Sequence, residues 1–324
     1  MPFLFPDRFQ SFNLNVERPT IMAILNVTPD SFSDGGRFNT NSADAFDIDV
    51  DAVVEAARNA IRDGAEILDV GGESTKPGAE PVDEAEETRR VVPVVQALAR
   101  TFDVPISIDT RRPCVADAAL EVGASIVNDV AAGRYIDSQR RLADETESGF
   151  PEEMAEVVAR RGASVVIMHM RGIPKTMQAA TPEYPGGVVD EILAFLKRRR
   201  AAFVAVGVAP ERIAFDPGLG FGKTFDQNWS LIANLERFRE LGGPVLLGFS
   251  RKTFLRETAR RYNEGRGLTD EAALPDVATL DQETATLSAL VAARGVEILR
   301  VHNVRQTALA LEIARRSVVE APQT

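Results

Sequence analysis

The chain is poor in the residues that build metal and redox centres: among its 324 residues are one cysteine, Cys114, and two histidines, His169 and His302. A single cysteine excludes an internal disulfide, and so few sulfur and imidazole ligands argue against a structural zinc site. Long apolar runs are missing too, and none approaches the roughly 20 residues that span a bilayer. Positive charge is in deficit, with 37 Lys and Arg against 48 Asp and Glu and a net charge of -11. This excludes a general nucleic-acid or anionic-membrane surface, because such partners are drawn by basic patches. Any anion must bind in a local basic pocket. The opening residues, Met1-Pro2-Phe3-Leu4-Phe5-Pro6-Asp7-Arg8, lack a basic region followed by a long apolar stretch, so the expected location is the cytoplasm. With 44% hydrophobic and 26% charged residues the composition is ordinary and globular, with enough apolar surface for a substantial core.

What the chain does have is eight short apolar runs, each ending in a polar residue: Asn26, Glu73, Asp109, Asn128, His169, Asp216, Ser250 with Lys252, and His302. The gaps between ends fit one helix and its turns, the rhythm of an eight-stranded (β/α)8 TIM barrel, whose active site lies at the carboxyl ends of its strands. Such barrels often exceed ordinary domain length as single units, so one domain is expected, with residues 1–18 as an N-terminal extension. The runs within Ile21–Asn26, Glu66–Val70, Val104–Asp109, Ser125–Asn128, Val165–Met168, Ile213–Asp216, Val245–Phe249 and Ile298–Val301 are continuous enough for strands buried on both faces. Helical spacing covers 50–63, 84–102, 187–206, 228–241, 284–294 and 307–316, and Pro113 suits an early helix position. Two long polar loops, 28–42 and 71–80, are of the kind that is usually functional. The polar excursion 134–150 has room for a helix of its own, and 257–280 reads as a charged, irregular insertion in the seventh loop.

An isolated histidine near a core reads first as structural. His302 departs from that, because Arg300, two positions earlier, points to the same side of a strand, and the pair suits an anion. Lys223, after the turn Gly218-Leu219-Gly220-Phe221-Gly222, and Ser250-Arg251-Lys252 stand at corresponding places. Each alone reads as a solvated charge. Their convergence in an acidic protein points to a phosphate or pyrophosphate site, which Arg grips bidentately and Lys meets as a movable charge. Asp109, Asn128 and Asp216 end three strands. Buried acids need partners, and this set can read the donor and acceptor edge of a flat heterocycle; alternatively each caps the following helix.

Several motifs fail. Gly222-Lys223-Thr224 lacks the P-loop's earlier glycine, its place taken by Pro217, and lacks dinucleotide-fingerprint spacing. Gly248-Phe249-Ser250-Arg251-Lys252 has no final glycine for a nucleophile elbow. Cys114 reads as a small buried residue in preference to an activated thiol. Asn228-Trp229-Ser230, a glycosylation acceptor in form, has no meaning in a cytoplasmic chain.

Residues 25–36, Leu25-Asn26-Val27-Thr28-Pro29-Asp30-Ser31-Phe32-Ser33-Asp34-Gly35-Gly36, resemble the opening signature of the dihydropteroate synthase family. So do Gly72-Glu73-Ser74-Thr75-Lys76-Pro77-Gly78, Ser107-Ile108-Asp109-Thr110, Val127-Asn128-Asp129-Val130, and Met168-His169-Met170 with Pro174-Lys175-Thr176-Met177-Gln178. Asp216-Pro217-Gly218-Leu219-Gly220-Phe221-Gly222-Lys223, Ser250-Arg251-Lys252 and Arg300-Val301-His302 continue the match, which runs in order from about Ile21 to Ala310. The resemblance implies a transferase that joins p-aminobenzoate to 6-hydroxymethyl-7,8-dihydropterin pyrophosphate. It implies that Asp109, Asn128, Asp216 and Lys252 hold the pterin, with Met168 and Phe221 lining its slot. Asn26 would contact Mg2+ and, with Lys76, Arg300 and His302, meet the pyrophosphate. Phe32, Thr75, Pro77 and Ser250 would border p-aminobenzoate, while Asp34 and Thr75 to Pro77 close over the reaction. A homodimer is implied as well. Lys76 replaces the family's frequent Arg, losing its planar fork, and Asn303 stands where Asp is usual. A methylfolate-dependent methyltransferase would use similar Asp and Asn residues but has less use for the two loop signatures and Ser-Arg-Lys. A pterin-binding paralogue without catalysis is opposed by the intact Asn26, Asp34 and Thr75.

Overall fold

The apolar runs form eight parallel strands: β1 (Thr20–Asn26), β2 (Ile67–Gly71), β3 (Ile106–Asp109), β4 (Ile126–Asp129), β5 (Ser164–Met168), β6 (Ile213–Asp216), β7 (Leu246–Leu247) and β8 (Ile298–Val301). The computed structural model describes residues 18–28, 39–40, 47–73, 82–172, 183–267 and 275–318. The sheet order β6-β5-β4-β3-β2-β1-β8-β7 is closed by a parallel bridge between Phe215 and Val245, where the Phe215 N–H donates to Pro244 O at 2.8 Å. This is the expected TIM barrel.

Side chains alternate along each strand. Met22, Ile67, Ile126, Val166, Ala214, Leu246 and Ile298 form one apolar cluster inside the barrel. Ile21, Leu68, Val127, Val165, Phe215, Leu247 and Leu299 point the other way, into the large cluster shared with the helices. Two residues further along each strand the interior changes character. Above Ile67 comes Asp69, above Ile126 Asn128, above Ala214 Asp216 and above Ile298 Arg300, while Ser107 on β3 is followed by Asp109. A polar layer thus sits directly on an apolar one, at the carboxyl end.

The helices α1 (Val50–Arg62), α2 (Glu84–Thr101), α3 (Pro113–Glu121), α4 (Glu153–Arg161), α5 (Val188–Ala205), α6 (Phe225–Ala233), α7 (Thr253–Glu264), α8 (Val277–Ala292) and α9 (Val304–Val318) follow the strands. Local chemistry sets their starts. Asp49, Asp83 and Asp276 accept from Ala52, Glu86 and Thr279 N–H groups, Thr224 and Gln227 form a capping box, and Pro113 occupies the first turn of α3. None of Asp109, Asn128 and Asp216 caps a helix: the residues preceding α3, α4 and α6 are Arg112, Glu152 and Thr224.

Three expectations are corrected. The excursion 134–150 forms no α-helix; it is a hairpin pairing Tyr135–Ile136 with Arg141–Leu142, and Arg134 ties it down by donating to Ala131, Ala143 and Met170 carbonyls. The segment 257–280 is not irregular over its described part, since α7 runs to Glu264 and α8 begins at Val277. Cys114 is exposed, not buried, and burial of its sulfur with the nearby Asp137 carboxylate pushes the thiol up to about 12, far from an activated nucleophile. The N-terminal extension before Arg18 lies outside the described residues.

Candidate active site

The polar layer is organised around Arg300. Its Nε donates to Asp69 Oδ2 and its Nη2 to Asp109 Oδ2, both at 2.6 Å. Asn128 Nδ2 adds a donor to Asp69 Oδ2 at 3.2 Å. The guanidinium fork faces two carboxylates, and removing either partner of so buried a pair would leave a charge uncompensated. Oδ1 of both Asp69 and Asp109 is buried with no hydrogen-bond partner among the described residues. Burial raises the Asp109 carboxyl well above the usual range, against the pull of Arg300, and the Asp69 carboxylate adds to the rise.

Opposite stands the turn after β6. Asp216 Oδ1 accepts from the Gly218 N–H at 2.7 Å, shaping a turn that only glycine fits: Gly218 has φ +72, and a Cβ there would lie 1.9 Å from the His169 carbonyl. Lys252, just before α7, donates to Leu219 O, and its ammonium lies 4.3 Å from the Phe221 ring centroid. Burial lowers the Lys252 ammonium to about 8, against the Asp216 carboxylate, which holds it up. Phe221 packs with Met168, Val130 and Met170 in an apolar cluster. Flat apolar walls, two acids, an amide and a lysine thus converge on one slot.

At its rim, Ser250 Oγ accepts the His302 N–H at 3.3 Å and stands 3.0 Å from His302 Nδ1. The hydroxyl is therefore free to donate to Nδ1, leaving Nε2 as the protonated nitrogen of the neutral ring. Asn26 ends β1 beside Gly71, where a Cβ would come within 3.4 Å of Asn26 Oδ1 and 3.5 Å of Asp109 Cβ. The missing side chain keeps this floor open.

Asp69 was not among the expected site residues, because Glu73 was taken as the polar end of the second run. Glu73 turns aside to Arg111 and Arg112 at 3.2 and 3.0 Å. Lys223, expected with the anion-binding cations, faces inward: its ammonium reaches His169 Nδ1 (3.1 Å), His169 O (3.3 Å) and Phe221 O (2.9 Å). His169 is structural, as read, with Nε2 3.2 Å from Glu145 Oε2. Phe32, Asp34, Thr75, Lys76 and Pro77 lie outside the described residues.

Fold and site define a barrel enzyme for a flat, hydrogen-bonding heterocycle. The pterin binding enzyme family matches residues 22–302. The dihydropteroate synthase of Neisseria meningitidis serogroup C is 40% identical over 93% of each chain. Among solved structures, the Yersinia pestis dihydropteroate synthase with a sulfonamide drug superposes with a TM-score of 0.76, at 34% identity and with 98% of this chain and 99% of that one covered. The Xanthomonas albilineans enzyme with 4-aminobenzoic acid gives 0.73, at 37% identity and 96% of each chain. The chain belongs to the pterin-binding enzymes and, within them, to the dihydropteroate synthase family.

Proposed function

We propose that this barrel mouth condenses p-aminobenzoate with 6-hydroxymethyl-7,8-dihydropterin pyrophosphate, giving 7,8-dihydropteroate and pyrophosphate, through the residues gathered above. The observation that carries the assignment of roles is the pair of buried carboxylate oxygens, Asp69 Oδ1 and Asp109 Oδ1, that no described residue satisfies. Buried acceptors left open in this way call for donors from a ligand, and a pterin supplies ring and exocyclic N–H groups. Asp216 and Asn128 would read that edge, Lys252 would donate to ring acceptors, and Met168 and Phe221 would sandwich the ring.

The electron pair of the C–O bond leaves with the pyrophosphate, the methylene carbon becomes cationic, and the amine of p-aminobenzoate attacks it and sheds a proton. Asp109 stands where a negative charge offsets the cation shared with the pterin ring. Arg300 commits Nε and Nη2 to acids and leaves Nη1 unengaged by the described residues, so Nη1 and His302 Nε2 would face the leaving group. Ser250 borders the amine substrate. The roles of Phe32, Asp34, Thr75, Lys76 and Pro77 rest on the resemblance alone.

Asn26 suits Mg2+. Its amide offers a hard oxygen, and no trio of His, Cys, Asp or Glu gathers into a metal cage among the described residues; Mg2+ commonly takes one or two protein ligands and completes its shell with water and substrate phosphates. When bound, it would withdraw charge from the departing pyrophosphate. A homodimer is supported by exposed apolar side chains on adjoining helices, Leu290 on α8 with Leu309 and Ile313 on α9. A cytoplasmic setting agrees with the lone free thiol. Among the described residues no helix is long and apolar enough to cross a membrane.

The test is pyrophosphate release by the purified protein given the pterin pyrophosphate and Mg2+, with and without p-aminobenzoate, while pteroate is followed. Release coupled to pteroate supports the reading. Tight pterin binding without product would identify a binding paralogue, and no pterin binding would overturn the site.

A further inference from the structure

Arg251 separates two site residues, Ser250 and Lys252, and holds a left-handed backbone with φ 60. Such a conformation is sparsely populated by residues with a side chain and persists where the surroundings over-determine it. Here they do. The Arg251 guanidinium grips Asp281 on α8 with Nε to Oδ1 at 2.6 Å and Nη2 to Oδ2 at 3.0 Å, and its N–H donates to Thr284 Oγ1, one helical turn further, at 3.3 Å. Asp281 and Thr284 are buried.

Asp281 Oδ2 also accepts from Asn303 Nδ2 at 3.0 Å, and Asn303 follows His302. Asn303 Oδ1 in turn accepts the Gln306 N–H at the start of α9 at 3.1 Å. One carboxylate on α8 therefore ties the turn that presents Ser250 and Lys252 to the turn that presents His302. The amide at 303, where the resemblance leads one to expect an acid, has a physical reason: an aspartate there would set two carboxylates against each other with no proton between them.

We propose that Asp281 is a positioning residue for the condensation, fixing the left-handed Arg251 and thereby the relative placement of Lys252 and His302, and that its acid is paired with the amide at 303. This rests on the assignment of Lys252 and His302 to the site. A displacement of about 1 Å in such groups can cost on the order of 100-fold in rate.

The experiment compares kcat, KM for each substrate and the thermal unfolding midpoint of the full chain with Asp281→Asn, with Asp281→Asn combined with Asn303→Asp, and with Lys252→Ala. The single Asp281→Asn exchange is expected to lower kcat about 100-fold at temperatures where it is fully folded, because the fork loses its counter-charge. Moving the carboxylate to 303 keeps charge and hydrogen-bond count and is expected to bring kcat back to within about tenfold of the parent. A folded Asp281→Asn protein with parental kcat overturns the proposal, as does a loss that the double exchange leaves unrepaired. Lys252→Ala separates the layers: a parental rate there refutes the site assignment itself, whereas its loss alongside a fully active Asp281→Asn refutes only the role of Asp281.

Discussion

Two buried cations stand near the carboxyl ends of the strands, and they are satisfied to different degrees. Lys223 has three acceptors for three N–H groups, His169 Nδ1, His169 O and Phe221 O, and His169 completes the set by meeting Glu145. Arg300 is also ion-paired, yet the acids that hold it keep an oxygen each without a donor. Side-chain type and depth are similar in the two clusters. What differs is unmet capacity: a closed network holds backbone in place, while an open one in a buried layer is where a ligand with matching donors gains most.

The sharpest way to break that contrast is Asp109→Asn. The shape is kept, the charge facing the developing cation is lost, and kcat/KM should fall by about 10²- to 10³-fold with the unfolding transition preserved. Near-parental turnover would show that the open acids have no part in the reaction. Lys223→Met should do the reverse. It strips donors from two carbonyls and an imidazole, so stability measured by denaturant should drop by about 2 kcal/mol, while kcat changes far less than with Asp109→Asn. A large loss of kcat at unchanged stability would erase the distinction between the clusters.

The barrel was legible because each strand buried on both faces reads as an uninterrupted apolar run. Helix α7 was hidden for the opposite reason. Its outer surface is a ladder of ion pairs, Glu257 with Arg260 and Arg261 and Arg260 with Glu264, and a helix so heavily charged offers no apolar stripe to read. Asp109, Asn128, Asp216 and Arg300 announced themselves by ending their runs. Asp69 did not, because Val70 and Gly71 prolong the strand beyond it, although an acid within a fully buried run already demands a partner. Lys223 was misread because direction is decided by the φ-positive turn at Gly218, Gly220 and Gly222, and spacing alone does not say whether a lysine after such a turn points out or in.

The smallest expected effect sharpens the description of the closed cluster. Burial first, and then the Lys223 ammonium, lower the His169 imidazole from 6.5 to about 3, against the opposing pull of Glu145. The folded protein therefore keeps His169 neutral over a range in which the unfolded chain takes up a proton there. Stability from this source is fully present above the unfolded value of 6.5 and is lost as pH falls towards the folded value of about 3. For Glu145, burial works to raise the carboxyl, but hydrogen bonds from His169 and Arg171 prevail and bring it from 4.5 to about 2, so its contribution fades in a lower window and with the same sign. In His169→Asn the amide oxygen can take the place of Nδ1 as acceptor from Lys223, and the titrating ring is gone. The variant should be less stable than the parent at pH 7, with the gap narrowing by about 2 kcal/mol between pH 7 and pH 5 as the parent alone loses the imidazole's share. Urea midpoints at the two pH values measure this. Parallel curves would mean that His169 is protonated in the folded protein and that the cluster around Lys223 is not closed.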